Sequence, residues 1–380
     1  MPKESFEFHL PFRKMLIGLL ITVVPINLVV LYSITESSNS IEQSVGGHLR
    51  ETSQSLARET AAFIHDSVLA ASLMAADSAV LDAVKEANSA YAGFSDEAVA
   101  ARIESIEAVW NKPSGEAAVR RVSSNRASDS LRRKLALAQN FLRITVTDQN
   151  GATVAASNKT IDYNQADEDY WQKIYAEGRG AISLTDVLYD EATLSNYIGI
   201  GVPVVDHDGS FLGTFDALVD VSTLTPILTQ PHLGDSGRAL LVKRDGAIIA
   251  SSVEGVTLSS GMMSQEMAAV TDALSTLQGR QIGYIEAGMP GEGDTLIGFA
   301  DTGLLDDYSE LQWVVVVAQR SAEAFAPVLR TQRLTMGIAF TAMACVVLFA
   351  VYVSLHRKSE IDEIEEEMSR IGDSVKSEQG

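Results

Sequence analysis

Trp171, Tyr189, Asp190, Tyr197 and Asp220 gather aromatic rings and carboxylates in one stretch of the chain. Ring faces and carboxylates both attract positive charge, so the combination suits a small bound cation. Two carboxylates sharing one buried site favour such a ligand further, because an unpaired pair is costly to desolvate. Each residue also has an ordinary use. Trp171 can fill a core, and Asp190 and Asp220 can sit at turns or strand ends. Asp169 follows Asp167 and Glu168 at the start of a helical stretch, where carboxylates suit the helix dipole.

Other patterns carry less chemistry. Gly234-Asp235-Ser236-Gly237 is similar to a serine-protease nucleophile loop, but no matching His and Asp environment accompanies it, so hydrolysis is not expected. Gly288 to Gly293, GMPGEG, reads as a hairpin loop, since no strand-to-helix context or Lys-Ser/Thr follows. The six histidines are scattered without paired spacing, so no metal site and no cofactor is expected. Cys345 is the single cysteine and forms no internal bridge.

The elements that must position these residues start from composition. With 46% hydrophobic and 21% charged residues, the chain has the material for a core and is not disordered. A formal charge of −21 repels phosphate backbones, which makes nucleic acid an unsuitable partner. Residues 15–34 and 334–355 are uncharged apolar runs, each long enough to cross a bilayer. Arg13 and Lys14 precede the first run, and Arg357 and Lys358 follow the second. The positive-inside rule then puts both termini in the cytoplasm, with the long middle segment outside.

Between the runs, apolar spacing at Ile41, Val45, Leu49, Leu56, Phe63 and Val68 predicts one long helix over 37–85, with an allowed break at Gly46-Gly47. A second helix carries Val99, Ile103, Ile106 and Trp110, and Pro113 stops it. A third is predicted over 129–142. The basic cluster from Arg120 to Lys134 reads as a solvated face pairing with nearby carboxylates. From Arg143 the period changes to two: strand, turn at Asp148 to Gly151, strand, a short helix over 169–177, then strands over 197–205 and 210–221. The plan repeats from Gly237, with strand, turn, strand, a helix over 262–277, and strands over 281–287, 294–301 and 312–319. Two modules rather than one large sheet follow.

The stretches ITVTDQNGATVAAS (144–157), DYWQKIY (169–175), YIGIGVPVVDHDGSFLGTFDALVDV (197–221), LGDSGRALLVKRDGAIIAS (233–251) and LQWVVVVAQ (311–319), in this order between two apolar runs, resemble the double Cache sensor domains of bacterial chemoreceptors, sensor kinases and cyclic-dinucleotide enzymes. The likeness covers about residues 35–333. It implies an α+β fold: two PAS-like antiparallel-sheet modules stacked on a long N-terminal helix and flanked by two transmembrane helices. The expected domains are a cytoplasmic N-terminus over 1–14, the first span over 15–34, helical stalk and support helices over 35–140, a membrane-distal module over 141–230, a membrane-proximal module over 231–325, a linker and second span over 326–355, and a cytoplasmic acidic amphipathic tail over 356–380.

The resemblance implies a small ligand in the distal module, between its sheet and the connecting helix and loops. In the amino-acid-binding branch an Arg precedes a Trp by two, and two Asp hold the ligand amine. Trp171, Asp190 and Asp220 match that pattern. Asp169 stands where the Arg would be, Gln172 and Leu188 where two Tyr would be. An amine or other cation is therefore expected rather than a free α-amino acid, with Trp171, Asp169, Tyr189, Asp190, Tyr197 and Asp220 as its site.

Ile361, Ile364, Met368, Ile371 and Val375 follow an a/d rhythm, a short helix that pairs in a homodimer or docks a cytoplasmic signalling protein. No kinase, cyclase or methyl-accepting segment follows residue 355, so the output is expected in another polypeptide, or beyond a truncation. The expected function is a membrane-anchored, non-enzymatic sensor of an extracytoplasmic small molecule. The alternative is an accessory membrane subunit that binds a partner protein and no solute.

Overall fold

The computed structural model describes residues 12–190, 194–256, 263–276 and 281–377, with most side chains before residue 43 and after 352 outside that description. Two compact units emerge, one of Gly46–Glu323 and one of Met1–Val45 with Ala324–Gly380.

Helix α1 runs over Phe12–Ala75. Leu49, Leu56, Ile64 and Ala71 recur at helical spacing and are buried, so one stripe faces the core. The helix passes through Gly46-Gly47 without a break, against the interruption that sequence allowed there. Two glycines weaken a helix by roughly 1 kcal/mol each, but a Cβ on Gly46 would stand 2.3 Å from the Tyr284 ring. Close approach, not flexibility, explains that glycine. The chain breaks instead at Asp77, which caps α2 (Ser78–Ser89) by accepting from the Ala79 amide at 2.8 Å.

Asp77 also receives Lys134 at 2.5 Å. Burial works against its charge, yet the Lys134 ammonium and the Ala79 amide hold its carboxyl below the ordinary value of 3.8. Such a contribution is present above that value and lost as pH falls through the folded value. Asp77→Ala is therefore expected to lower stability by about 1–2 kcal/mol at pH 7. Urea titrations of variant and wild type should converge below pH 3.8.

Ser95 caps α3 (Asp96–Glu107), α4 covers Glu116–Ser123 after Pro113, and Asn125 caps α5 (Arg126–Leu137). The third predicted helix thus starts and ends earlier, because the Asn125 side chain takes the Ser128 amide at 2.8 Å. Within the basic cluster, Arg120 pairs with Glu116, Arg132 with Asp129 and Lys134 with Asp77.

The first sheet holds β1 (Phe141–Thr147), β2 (Thr153–Ala156), β3 (Ser183–Leu184), β4 (Leu188–Asp190), β5 (Ser195–Val205) and β6 (Phe211–Asp220), with α6 (Asp169–Tyr175) between β2 and β3. Its order is β2-β1-β6-β5-β3, with β4 beside β5. After α7 (Thr225–Thr229), a second sheet holds β7 (Arg238–Lys243), β8 (Ile248–Ser251), β9 (Ile282–Met289), β10 (Gly293–Asp301) and β11 (Trp313–Arg320), with α8 (Gln265–Thr276) and α9 (Leu304–Asp307) in its connections. Its order, β8-β7-β11-β10-β9, repeats the plan of the first: the initial hairpin at one side, the last strand next to its first strand. Met262 and Leu277, expected to bound the α8 helix, lie outside the described residues.

Leu240, Val242, Ile297, Phe299, Val314 and Val316 from the second sheet bury one face against Met267 and Val270 of α8. The two sheets are tied at Asp186, which accepts from the Trp313 indole at 3.1 Å and pairs with Lys243 at 2.6 Å.

Helix α10 (Ser321–Ala324) closes the first unit, and the other unit carries α11 (Ala326–Ser377). Both predicted apolar runs are helical in backbone. Among the described residues no single helix is long and apolar enough to cross a membrane; Arg333–Phe349 is a shorter apolar helix. A pair of segments bent by 57°, Gln43–Ala75 with Ser78–Ser89, passes the same test by length and composition, but its apolar stripe is buried in protein. Ile21, Val29, Tyr32, Ile338, Phe340 and Leu348 are exposed.

Candidate functional site

Strand alternation divides β1 into two sets. Ile144 and Val146 point to one face, and Arg143, Thr145 and Thr147 to the other. Register carries the second set across the sheet: Thr145 pairs with Asp216 of β6, and Asp216 with Gly201 of β5. Tyr197, two pleats along β5, shares that face, as does Asp190 of β4 through the pairing of Leu188 with Tyr197.

Helix α6 covers this face. Ile174 sits where a Cβ on Gly201 would stand, 2.3 Å from Ile174 Cδ1, so glycine there lets the helix approach the strand. The Trp171 indole donates to Thr147 Oγ1 at 2.9 Å, its ring stacks on Tyr175 at 4.9 Å, and Tyr175 meets Phe211 edge-on at 5.3 Å. Trp171 is buried and hydrogen-bonded, and it anchors the helix on the sheet.

Beside this anchor lies a charged cluster. Arg143 Nη1 contacts Asp190 Oδ1 at 3.3 Å, and both side chains are largely buried. Arg143 Nε is buried without a hydrogen-bond partner. Asp216 is 8% exposed; burial pushes its carboxyl up to about 7, although the Arg143 charge pulls the other way. Burial, then the Asp216 charge, also raises the phenols of Tyr170 and Tyr197. Tyr170 donates to Gln165. One guanidinium, two carboxylates and two phenols therefore meet on a face that α6 shields. Strongly shifted groups beside an unsatisfied donor are a mark of a binding site.

The sequence-derived residues divide. Asp190, Tyr197 and Trp171 belong to this face. Tyr189 does not: alternation along β4 turns it away from Asp190, and it is 53% exposed. Asp169 is an exposed residue in the first turn of α6. Asp220 ends β6 and accepts from the Ser222 amide at 2.8 Å, capping the turn that follows. Arg143, Tyr170 and Asp216 were missed. For Arg143 and Asp216 the signal is a charge inside an otherwise apolar strand, as in Phe215-Asp216-Ala217, where no turn calls for a carboxylate; Tyr170, on α6, carries no such signal.

Gly234 to Gly237 forms a turn held by Glu323. The Asp235 and Ser236 amides donate to Glu323 at 2.7 and 2.8 Å, and the Ser236 hydroxyl accepts from the Arg320 amide at 3.1 Å.

Comparison with known proteins adds the fold's relatives. The Cache domain profile matches residues 37–328. The ligand-binding domain of the Campylobacter jejuni chemoreceptor Tlp3 superposes with a TM-score of 0.51 in its complex with 4-methylisoleucine, and 0.50 in that with L-norvaline. In both cases identity is 12% and coverage is 75% of this chain and 94% of that one. The ligand-binding domain of the Pseudomonas fluorescens chemoreceptor CtaA, in complex with L-isoleucine, matches at 16% identity and TM-score 0.47 over 76% of this chain and 98% of its own. No curated protein matches.

Proposed function

Because the chain belongs to the Cache domain family, in its double form, we propose that it is an extracytoplasmic sensor of a small molecule carrying a protonated amine, held on the α6-covered face of the first sheet. The observation that carries this reading is the buried set Arg143, Asp190 and Asp216, with Arg143 Nε left unpartnered. An ammonium beside Asp216 compensates that buried carboxylate and adds to the Arg143 pairing of Asp190, and a carboxylate on the same ligand takes the free Nε side of the guanidinium. Arg143 thus offers from a strand the anion grip that α6 lacks at Asp169. An amino-acid-like zwitterion fits this set better than a bare amine. That ligand class rests on this chain's own residues, since a likeness at 12% identity speaks for fold.

The apolar runs over 15–34 and 334–355, with exposed Ile21, Val29, Ile338, Phe340 and Leu348, support a two-pass anchor in the plasma membrane, residues 35–333 outside and both termini inside. Occupancy then biases α1 and α11, each a continuous helix. A ligand shifts such an equilibrium only by its differential affinity for two helix arrangements. The sensor acts as a homodimer, carries no catalysis, and passes its signal to a separate cytoplasmic protein.

A thermal-shift screen of the purified chain with amines, α-amino acids and organic acids tests the reading. Amine-bearing compounds are expected to raise the melting temperature, more strongly when they also carry a carboxylate. Asp220→Ala is expected to leave those shifts unchanged, because the Asp220 carboxylate is engaged by the Ser222 amide at the strand end. A response confined to organic acids would remove the proposal.

A further inference from the structure

Asp148 closes the turn after β1. Its Oδ1 accepts from the amides of Asn150 and Ala152, at 2.8 and 3.1 Å, which is all that the turn requires. Its Oδ2 is buried without a well-formed hydrogen bond, only the Tyr91 phenol being placed to serve the carboxyl, and the residue is 1% exposed. A buried carboxylate oxygen without a well-formed hydrogen bond is costly, so it points to a stronger, charged donor that arrives from outside.

Asp148 lines a cleft of about 370 Å³ between α2, α3, α4 and β2, together with Ala87, Tyr91, Arg102, Arg121 and Tyr163 among others. Arg143, Asp190 and Asp216 do not line it, so the cleft is separate from the α6-covered face. Its volume is that of an ordinary small-ligand site, about 300–1,000 Å³. Tyr91 and Tyr163 supply aromatic walls; both phenols are raised by burial first and then by the Asp148 charge, which places them close to it. Burial also raises the Asp148 carboxyl, to about 6, against hydrogen bonds from the Asn150, Ala152 and Gly151 amides and the Tyr91 side chain. The guanidiniums of Arg102 and Arg121 stand at the exposed side of the same cleft.

We propose that this cleft is a second small-molecule site, taking an ω-amino acid whose protonated amine bonds Asp148 Oδ2 and whose carboxylate faces Arg102 and Arg121. The aliphatic chain of such a ligand runs along the tyrosine rings and the alanines of α2. The site is not isolated from the rest of the module. Asp148 follows Thr147, whose hydroxyl holds the Trp171 indole and meets Thr214 Oγ1 at 2.8 Å. Filling the cleft therefore acts on the strand end that anchors α6.

Calorimetric titration of the full chain in detergent with β-alanine, 4-aminobutyrate and 6-aminohexanoate tests the assignment. Asp148→Asn keeps the Oδ1 acceptor and so the turn, but sets an amide donor where the ammonium would sit. Ala87→Leu fills the cleft and leaves the turn untouched, so it decides the matter if the Asn variant folds poorly. At least one of the three compounds is expected to bind the wild type, and each variant to weaken that binding at least tenfold. Asp216→Asn, which removes amine binding on the α6-covered face alone, should keep the binding component that Asp148→Asn and Ala87→Leu weaken. Absence of binding by all three compounds at millimolar concentration, wild-type affinity in Asp148→Asn and Ala87→Leu, or loss of binding in Asp216→Asn would overturn the assignment. The last outcome would move these ligands to the other face.

Discussion

Asp216→Asn is expected to make the free protein more stable above pH 7 while abolishing its grip on an amine. The carboxyl is raised from 3.8 to about 7 in the folded state, so the folded state holds a proton that the unfolded chain has already released. Stability is then greatest below the unfolded value and declines as pH rises toward the folded one. At 1.4 kcal/mol per pH unit that decline amounts to about 4 kcal/mol. Asn escapes it. Loss of the attraction to Arg143 offsets part of the gain, leaving about 2–4 kcal/mol at pH 8 and little at pH 4. Binding moves oppositely: an amine that has lost a buried charged partner should bind at least 100-fold more weakly, about 3 kcal/mol.

In the wild type, affinity for an amine should fall about tenfold per pH unit below 7, with a proton released on binding, because the ligand requires the ionised carboxylate. Denaturation across pH 4–8 and calorimetry in buffers of different ionisation enthalpy read both effects. Unchanged stability at pH 8 together with unchanged affinity would contradict the assignment of Asp216.

Gly298→Val should be among the most damaging single changes in the second sheet. A Cβ at Gly298 would stand 2.5 Å from the carbonyl carbon and oxygen of Leu49. Those atoms are backbone of α1, so no side chain can rotate away, and the helix must lift from β10. A loss of more than about 3 kcal/mol, or failure to fold, is expected. Gly47→Ala is the matched control. Nothing lies within 4 Å of a Cβ there, and alanine should stabilise the helix by about 1 kcal/mol. Urea titration of both variants measures the contrast. Gly298→Val within 1 kcal/mol of wild type would mean that α1 is not pressed on this sheet.

The elements that sequence makes legible are those whose periodicity persists. The long α1, the Asp148 to Gly151 turn and the repeated hairpins announce themselves through spacing at 3.6 or two residues. Strands β3 and β4, of two and three residues, are too short to show a period, and α4 hides behind Pro113. Gly46 reads as a break by propensity, and only the Tyr284 ring explains why the helix continues through it. The candidate site was half legible for a similar reason. Asp190 and Tyr197 stand out as polar residues near turns. Asp216 stands inside a strand, and its place beside Arg143 depends on a register, Thr145 to Asp216 to Gly201, that no local pattern carries. Asp220, one pleat pair further on, looked equivalent until the strand end fixed it as a cap.

A crystal structure of the protein bound to its strongest amine-bearing ligand from the thermal-shift screen tests the central claim most directly. The account predicts the ligand nitrogen within hydrogen-bonding reach of both Asp190 and Asp216, and any ligand carboxylate on Arg143 Nε, under α6. Ligand density elsewhere, with the Arg143, Asp190 and Asp216 cluster unchanged and empty, would contradict it.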